Sequence, residues 1–202
     1  MRVIPLLIIL FVMTGCRSEQ EKDVTQEWDT SRFEAGDLVF RRGRGVVSRA
    51  VLTADRKGHY SHIGILTGRY GEWFIVHAVP GEPDFEGDID RIKKDSLQVF
   101  FSSKRAGRGA VVRVDADPAM KRRAAEKAMD LFRRGILFDH DYDLNDTTKL
   151  YCTELIDFVY RTQGIDLPEG RISRVTLPLY AGEYLFPSDI YQCALLTPIE
   201  EY

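Results

Sequence analysis

The sequence predicts an α+β domain, because short strands and helices follow one another without the regular strand–helix alternation of a doubly wound parallel sheet. Two β-rich segments flank a turn at 68–71 and predict a hairpin, while two segments in the second half have apolar residues at helical spacing. Of the 202 residues, 44% are hydrophobic and 29% are charged, which suits one globular domain with a substantial core.

The first half of the domain is predicted to be mostly strand. Its predicted elements, in chain order, are a strand at 36–40, a short helix at 46–52, hairpin strands at 60–66 and 73–79, a charged loop at 84–95 and a strand at 109–114. The apolar residues 97–101 fit a helix and a strand equally well.

The second half is predicted to be mostly helical. An aspartate–proline pair at 117–118 is a strong helix start, since an N-cap residue precedes proline at the first helical position, and this helix should end at Gly135. A short strand at 136–138 and a second helix from Tyr151 to Gln163 follow. The residues from 167 onward include four prolines and are predicted to be mostly irregular.

The N-terminal residues 1–15 have the pattern of a secretory signal peptide. Arg2 precedes eleven apolar residues, too few to span a bilayer as a helix, and the ending Met-Thr-Gly-Cys resembles a bacterial lipobox. The resemblance implies that Cys16 is acylated and that the protein is anchored in the cell envelope, at the periplasmic face of the outer membrane in a Gram-negative host. An ordinary signal peptide with an incidental cysteine is the alternative. Residues 16–32 are polar and predict a tether, and the folded domain should span 33–202.

Composition and motif content exclude several classes of protein. The 28 basic and 31 acidic residues give a net charge of −3, so no basic excess attracts nucleic acid. Three cysteines are too few for a disulfide scaffold, and no glycine-rich phosphate loop is present. His59 and His62 have no CxxC pair to complete a zinc site. We therefore expect no cofactor, no metal and no nucleic-acid partner.

Cys152 is the first candidate for chemistry, because it lies in the first turn of the second predicted helix. Unpaired backbone N–H groups and the helix dipole favour an anion there, which predicts a lowered thiol pKa. However, Cys152, Ile156 and Val159 are spaced i, i+4, i+7, so a buried structural cysteine would give the same pattern.

His62 and His77 lie on the two strands of the predicted hairpin and can be cross-strand neighbours. A cysteine nucleophile needs a base that takes its proton and a third group that orients the base. His62 fits the base and His77 the orienting group. Because His77 is flanked by Val76 and Ala78, it also fits a hydrogen-bonded core residue.

The order of these motifs resembles the circularly permuted papain-like hydrolases, the YiiX/YaeF-like branch of the NlpC-type amidase superfamily, which is related to the lecithin:retinol acyltransferases. The resemblance covers residues 35–162 and rests on Gly36-Asp37-Leu38-Val39-Phe40, Tyr60-Ser61-His62-Ile63-Gly64, Val76-His77-Ala78, Phe138-Asp139 and Tyr151-Cys152-Thr153-Glu154-Leu155. It implies a circularly permuted papain-like fold, with a small antiparallel β-sheet or barrel packed against a few helices.

The resemblance also implies the roles of the site residues. Cys152 is the nucleophile, His62 the general base and His77 the third polar residue, a position where many close relatives have glutamate. A thiolate–imidazolium pair is expected, with the Cys152 backbone N–H and either Tyr60 or Tyr142 as oxyanion donors.

The implied function is that of a lipid-anchored cysteine hydrolase of the cell envelope. Its substrate is either an amide, such as a peptidoglycan peptide bond, or the acyl ester of a lipid. An acceptor other than water would make the enzyme an acyltransferase. The alternative is a non-catalytic envelope protein that holds lipid or peptide in the same groove.

Overall fold

The computed structural model describes residues 27–176 and 181–202. The predicted signal peptide, Cys16 and the tether up to residue 26 lie outside the described residues. Trp28, near the predicted end of the tether, packs against Phe101 and Tyr202 with ring centroids 4.4 and 5.3 Å apart. Trp28 therefore packs against the folded domain, although it belongs to the predicted tether.

The described ranges contain eight strands, five α-helices and a short 3-10 turn at Thr30–Arg32. The strands are β1 (Leu38–Gly43), β2 (His62–Arg69), β3 (Glu72–Val79), β4 (Arg91–Ser96), β5 (Ala106–Val114), β6 (Ser173–Val175), β7 (Gly182–Tyr184) and β8 (Leu196–Glu201). The helices are α1 (Val46–Ala54), α2 (Leu97–Phe100), α3 (Pro118–Arg133), α4 (Cys152–Arg161) and α5 (Pro187–Tyr191).

Six of the strands form one antiparallel sheet in the order β4-β3-β2-β1-β5-β8, and β6 pairs with β7 in a separate hairpin. This is the α+β architecture with a small antiparallel sheet that the sequence predicts. The register sets Arg41 opposite His62 and His77 opposite Lys93. The sheet therefore brings both histidines and two cations onto the four neighbouring strands β1 to β4.

The two faces of the sheet bury different sets of side chains, because successive strand residues point to opposite sides. Leu38 and Phe40 pack with α3 and α4, whereas Val39 packs on the other face with Phe100 and Phe101 of α2 and its C-cap. We call these the helical face and the α2 face. Arg41 and His77 alternate with residues of the helical face, so they lie on the α2 face.

Helices α3 and α4 begin as the sequence predicts. The Asp117 side chain caps α3 by accepting the Ala119 N–H at 2.8 Å, and Gly135 follows the helix with φ 66°, a conformation that glycine adopts without strain. Helix α4 begins at Cys152, one residue after its N-cap Tyr151.

Three local predictions are wrong. Residues 91–95, predicted as loop, belong to β4. The strand was not recognised because Lys93 and Asp95 are buried through ion pairs rather than apolar contacts. The segment 136–138 forms only an isolated bridge between Arg91 and Leu137. The tail is less irregular than its prolines suggest, since it contains β6, β7, α5 and β8.

No helix in the described ranges is long and apolar enough to cross a bilayer.

Candidate active site

Cys152 is the first residue of α4 and is partly exposed. The helix start around it is firmly held: the Tyr151 N–H donates to the Glu154 carboxylate, and the Tyr151 hydroxyl accepts the Leu185 N–H, each at 3.0 Å. Because the first N–H groups of a helix lack partners within it, the thiol lies among free backbone donors.

The thiol is nevertheless neutral at pH 7. Burial raises the pKa of Cys152 to about 11, although the backbone N–H groups of Ile63, Thr153 and Cys152 itself oppose the rise. The prediction of a lowered thiol pKa is therefore wrong, because loss of solvation penalises the thiolate by more than the helix start stabilises it.

His62 and His77 are the neighbours that the hairpin predicts. Nε2 of His62 lies 2.8 Å from Nδ1 of His77, and the rings meet nearly edge to face. Both are buried. Burial, together with the charges of Arg41 and His77, holds the pKa of His62 well below its usual value. Burial also lowers the pKa of His77, against the opposing effect of Asp95.

The thiol meets the sheet where β2 and β3 separate. Their pairing runs from Arg69–Glu72 to Ile65–Val76, so the first residues of β2 lie beyond the paired region. There the Ile63 N–H hydrogen bonds to the Cys152 thiol. Since Ile63 follows His62 in the chain, this contact places the thiol beside the start of β2.

Asp95 extends the pair of histidines by one residue, which the sequence alone did not predict. Its Oδ2 lies 3.2 Å from Nε2 of His77 and 2.6 Å from Nη1 of Arg105. Asp95 sits in a charged stretch that lacks strand patterning. Strand pairing is the feature that identifies it. Once β4 pairs with β3, residues 93 and 95 lie on the same face of the sheet as His77.

Arg41 and Phe100 complete the surroundings of the histidines. The Phe100 ring lies 5.6 Å from His62 and 5.1 Å from His77, and the Arg41 guanidinium lies 4.5 Å from the same ring. Arg41 donates to the Phe100 carbonyl and pairs with Glu82. This buried cation disfavours a charged imidazole.

Tyr142 lies near Cys152 in a strained backbone conformation. Burial and the charge of Cys152 raise the pKa of Tyr142 to about 12, so its hydroxyl remains a donor at neutral pH. Its φ of 54° is unusual for a bulky residue and is the kind of strain that clusters at functional sites. The Asp139 carboxylate shapes this loop by accepting the Asp141 and Asp143 N–H groups at 3.0 and 2.8 Å.

The hydroxyl of Tyr60, the other predicted oxyanion donor, has other hydrogen-bond partners. It hydrogen bonds with Tyr191 and Glu201, and its ring packs against Phe40 and Tyr191 at 5.6 and 5.3 Å. Of the two tyrosines, Tyr142 is the one whose pKa responds to the charge of Cys152.

A row of aromatic rings leads from Tyr142 to a basic cavity. Tyr184 lies 6.3 Å from Tyr142 and stacks on Phe186 at 5.7 Å. Phe186 lines a cavity of 240 Å³ whose cationic side chains are Arg56, Lys57 and Arg174. The buried Asp55 also borders it, but its carboxylate accepts from the Ser188 hydroxyl at 2.6 Å.

The fold and this arrangement define a papain-like hydrolase in permuted order, with the histidine before the cysteine. The profile of the permuted papain-like amidase enzymes of the YaeF/YiiX type matches residues 32–177, and the chain belongs to that family.

A solved structure has the same fold. It is the crystal structure of metalloprotein yiiX from Escherichia coli O157:H7, which is 20% identical, with a TM-score of 0.66 over 84% of this chain and 97% of that one. Among curated proteins, no sequence matches this chain.

Proposed function

We propose that the protein is a cysteine amidase in which Cys152 is the nucleophile, His62 the general base and His77 the group that orients the base. The observation that carries the proposal is the His62–His77 hydrogen bond at the point where the Ile63 N–H meets the thiol. The His62 ring lies on the α2 face and Cys152 packs against the helical face, and the Ile63 N–H that donates to the thiol directly follows His62 in the chain.

The first half of the reaction begins from a neutral thiol and a neutral imidazole. His62 takes the Cys152 proton as the sulfur attacks the acyl carbon, and a tetrahedral intermediate forms. The Cys152 N–H and the Tyr142 hydroxyl donate hydrogen bonds to its oxyanion. His62 then gives the proton to the leaving amine, and the carbon–nitrogen bond breaks to leave a thioester.

In the second half, His62 takes a proton from water as the water oxygen attacks the thioester. The oxyanion donors act again, and the proton returns to the Cys152 sulfur as the acid product leaves. An alcohol or amine in place of water would make the reaction an acyl transfer.

The basic cavity favours an anionic substrate. Arg56, Lys57 and Arg174 lie at the end of the aromatic row that starts at Tyr142, so a bound chain could reach both the thiol and these cations. A peptidoglycan peptide carries free carboxylates as well as amide bonds. We therefore propose such a peptide as substrate, in preference to a lipid acyl ester.

The proposed location is the cell envelope. Acylation of Cys16 would tether the domain to a membrane through its lipid chains, each buried CH₂ contributing about 0.8 kcal/mol. Mass spectrometry of the mature N-terminus tests this, and an unmodified Cys16 would disprove the anchor.

The E. coli structure is described as a metalloprotein. In residues 27–176 and 181–202, no three His, Cys, Asp or Glu side chains are grouped so that they could hold a metal ion. The described residues therefore do not fit a metal site, and the proposed reaction uses none.

The decisive experiment compares hydrolysis of muropeptides and of acyl esters by wild-type protein and by the Cys152→Ala and His62→Ala variants. We expect muropeptide cleavage by the wild type alone. Activity that survives Cys152→Ala would overturn the proposal. Cleavage of esters but not of muropeptides would keep the thiol mechanism and reject the amide substrate.

A further inference from the structure

A continuous chain of buried hydrogen bonds runs from His62 to an ion pair behind it. His62 Nε2 lies 2.8 Å from His77 Nδ1, and His77 Nε2 lies 3.2 Å from Asp95 Oδ2. The same oxygen accepts from Arg105 Nη1 at 2.6 Å. Both contacts of His77 involve a defined ring nitrogen, so the protonation of one member constrains the next.

Asp95 determines which atoms donate and which accept along this series of hydrogen bonds. Burial alone would raise the pKa of Asp95, but the hydrogen bond from His77 and the charges of His77, Arg105 and Lys93 lower it to about 2. An ionised carboxylate can only accept hydrogen bonds. His77 must therefore carry its proton on Nε2.

The remaining protons follow by elimination. A neutral His77 that is protonated on Nε2 has a bare Nδ1, which can only accept. Nε2 of His62 must then donate to it. Since His62 is also neutral, its own Nδ1 is bare and is the nitrogen that can take a proton.

We propose that Asp95 is a positioning residue that sets the tautomers of both histidines and so reserves Nδ1 of His62 as the base for Cys152. This inference rests on the proposed thiol mechanism. Without Asp95, His77 could equally carry its proton on Nδ1. That would reverse the hydrogen bond to His62 and place a proton on the nitrogen that must accept one.

The charges around the chain support a second effect of Asp95, on the imidazolium that forms during the reaction. Arg41 is paired with Glu82, and Lys93 is paired with Asp84 at 2.6 Å. Arg105 bridges Glu82 and Asp95. Asp95 is thus the carboxylate in direct contact with His77, and it opposes the repulsion between Arg41 and a protonated ring.

The direct test is nitrogen NMR of the full chain in detergent, with ¹⁵N-labelled imidazole rings. The protein has four histidines, so single substitutions assign the signals. We expect His62 and His77 both to be protonated on Nε2 and bare on Nδ1 at pH 7. A proton on Nδ1 of His62 would overturn the proposal without any variant.

Asp95→Asn keeps the shape but removes the charge, and its amide can either donate or accept. We expect mixed tautomers for both histidines and a fall in kcat of about 10²-fold, less than the roughly 10⁴-fold seen when a triad aspartate contacts the base directly. The acid limb of the kcat/KM profile should move to lower pH, because the imidazolium has lost its counter-charge.

Asp37→Asn is the matched control, since Asp37 is buried and paired with Arg113 at 2.8 Å but belongs to a different ion pair. It should lower stability without changing tautomers or the pH profile. If Asp95→Asn behaves like Asp37→Asn while Cys152→Ala and His62→Ala are inactive, the role of Asp95 is disproved and the proposed function stands. If Cys152→Ala remains active, the proposed function fails, and the NMR result still decides whether Asp95 sets the tautomers.

Discussion

The hydroxyl of Thr153 donates a hydrogen bond to the backbone carbonyl of Leu185 at 2.6 Å, and both residues are buried. Leu185 in turn donates its N–H to the Tyr151 hydroxyl. The residues on either side of Cys152 are thus bonded to one residue of the C-terminal segment, which fixes the helix start that carries the thiol.

Thr153→Val tests this attachment. The substitution keeps the shape but leaves the Leu185 carbonyl buried without its donor, so the free energy of unfolding should fall by about 1–3 kcal/mol. Chemical denaturation measures the loss. Thr153→Ser retains the hydroxyl and is the control, expected to stay much closer to wild type. A loss in Thr153→Ser but not in Thr153→Val would show that the methyl group, not the hydrogen bond, matters.

Local signals in the sequence were enough to predict the elements that carry the site. The 117–118 pair and Gly135 bracket α3, and the hairpin of β2 and β3 has the expected apolar strands around its turn. These features depend on neighbouring residues alone, through capping, turn geometry and strand pairing.

The features that the sequence did not predict depend on tertiary packing. Asp95 becomes a partner of His77 only when β4 pairs with β3, and no local pattern distinguishes it from the exposed acids of the preceding loop. The thiol pKa also escaped prediction, because desolvation of Cys152 arises from elements distant in sequence, including the backbone of β2.

The raised thiol pKa predicts how alkylation of Cys152 depends on pH. With a pKa of about 11, the thiolate fraction should increase about tenfold per pH unit between pH 7 and 10, and should be far lower at pH 7 than for a free cysteine of pKa about 8.5. Iodoacetamide labelling followed by peptide mass spectrometry measures the rate at each pH. A fast, pH-independent rate near pH 7 that His62→Ala abolishes would instead indicate a resting thiolate–imidazolium pair.

Tyr142→Phe tests the oxyanion donor. Removal of one such donor lowers kcat by about 10²–10³-fold, so we expect a fall in that range with little change in Cys152 alkylation. Tyr60→Phe is the matched control, because its hydroxyl is held by Tyr191 and Glu201. Turnover measurements on one substrate compare the two. A larger loss in Tyr60→Phe would transfer the role to Tyr60.

Arg174→Gln tests the basic cavity. Loss of one partly screened cation should raise KM for an anionic muropeptide several-fold, consistent with about 1 kcal/mol for an exposed ion pair, and should leave kcat near wild type. A neutral amide substrate of the same length is the control and should show no change in KM. An equal change for both substrates would mean that Arg174 supports the structure rather than recognising charge.

His77→Glu, alone and combined with Asp95→Asn, tests whether the histidine chain needs one carboxylate and where it must lie. The single variant would place a second carboxylate against Asp95, and like charges at that distance cannot both ionise readily, so kcat should fall. In the double variant the carboxylate at 77 can accept directly from Nε2 of His62, and the amide at 95 can donate to it. We expect the double variant to be faster than His77→Glu by about 5–100-fold, a gain of roughly 1–3 kcal/mol from a substitution that slows the wild type. A double-mutant cycle in kcat measures the coupling, which is this gain plus the loss caused by Asp95→Asn alone. Simple additivity of the two losses would show that Asp95 does not act on His62 through position 77.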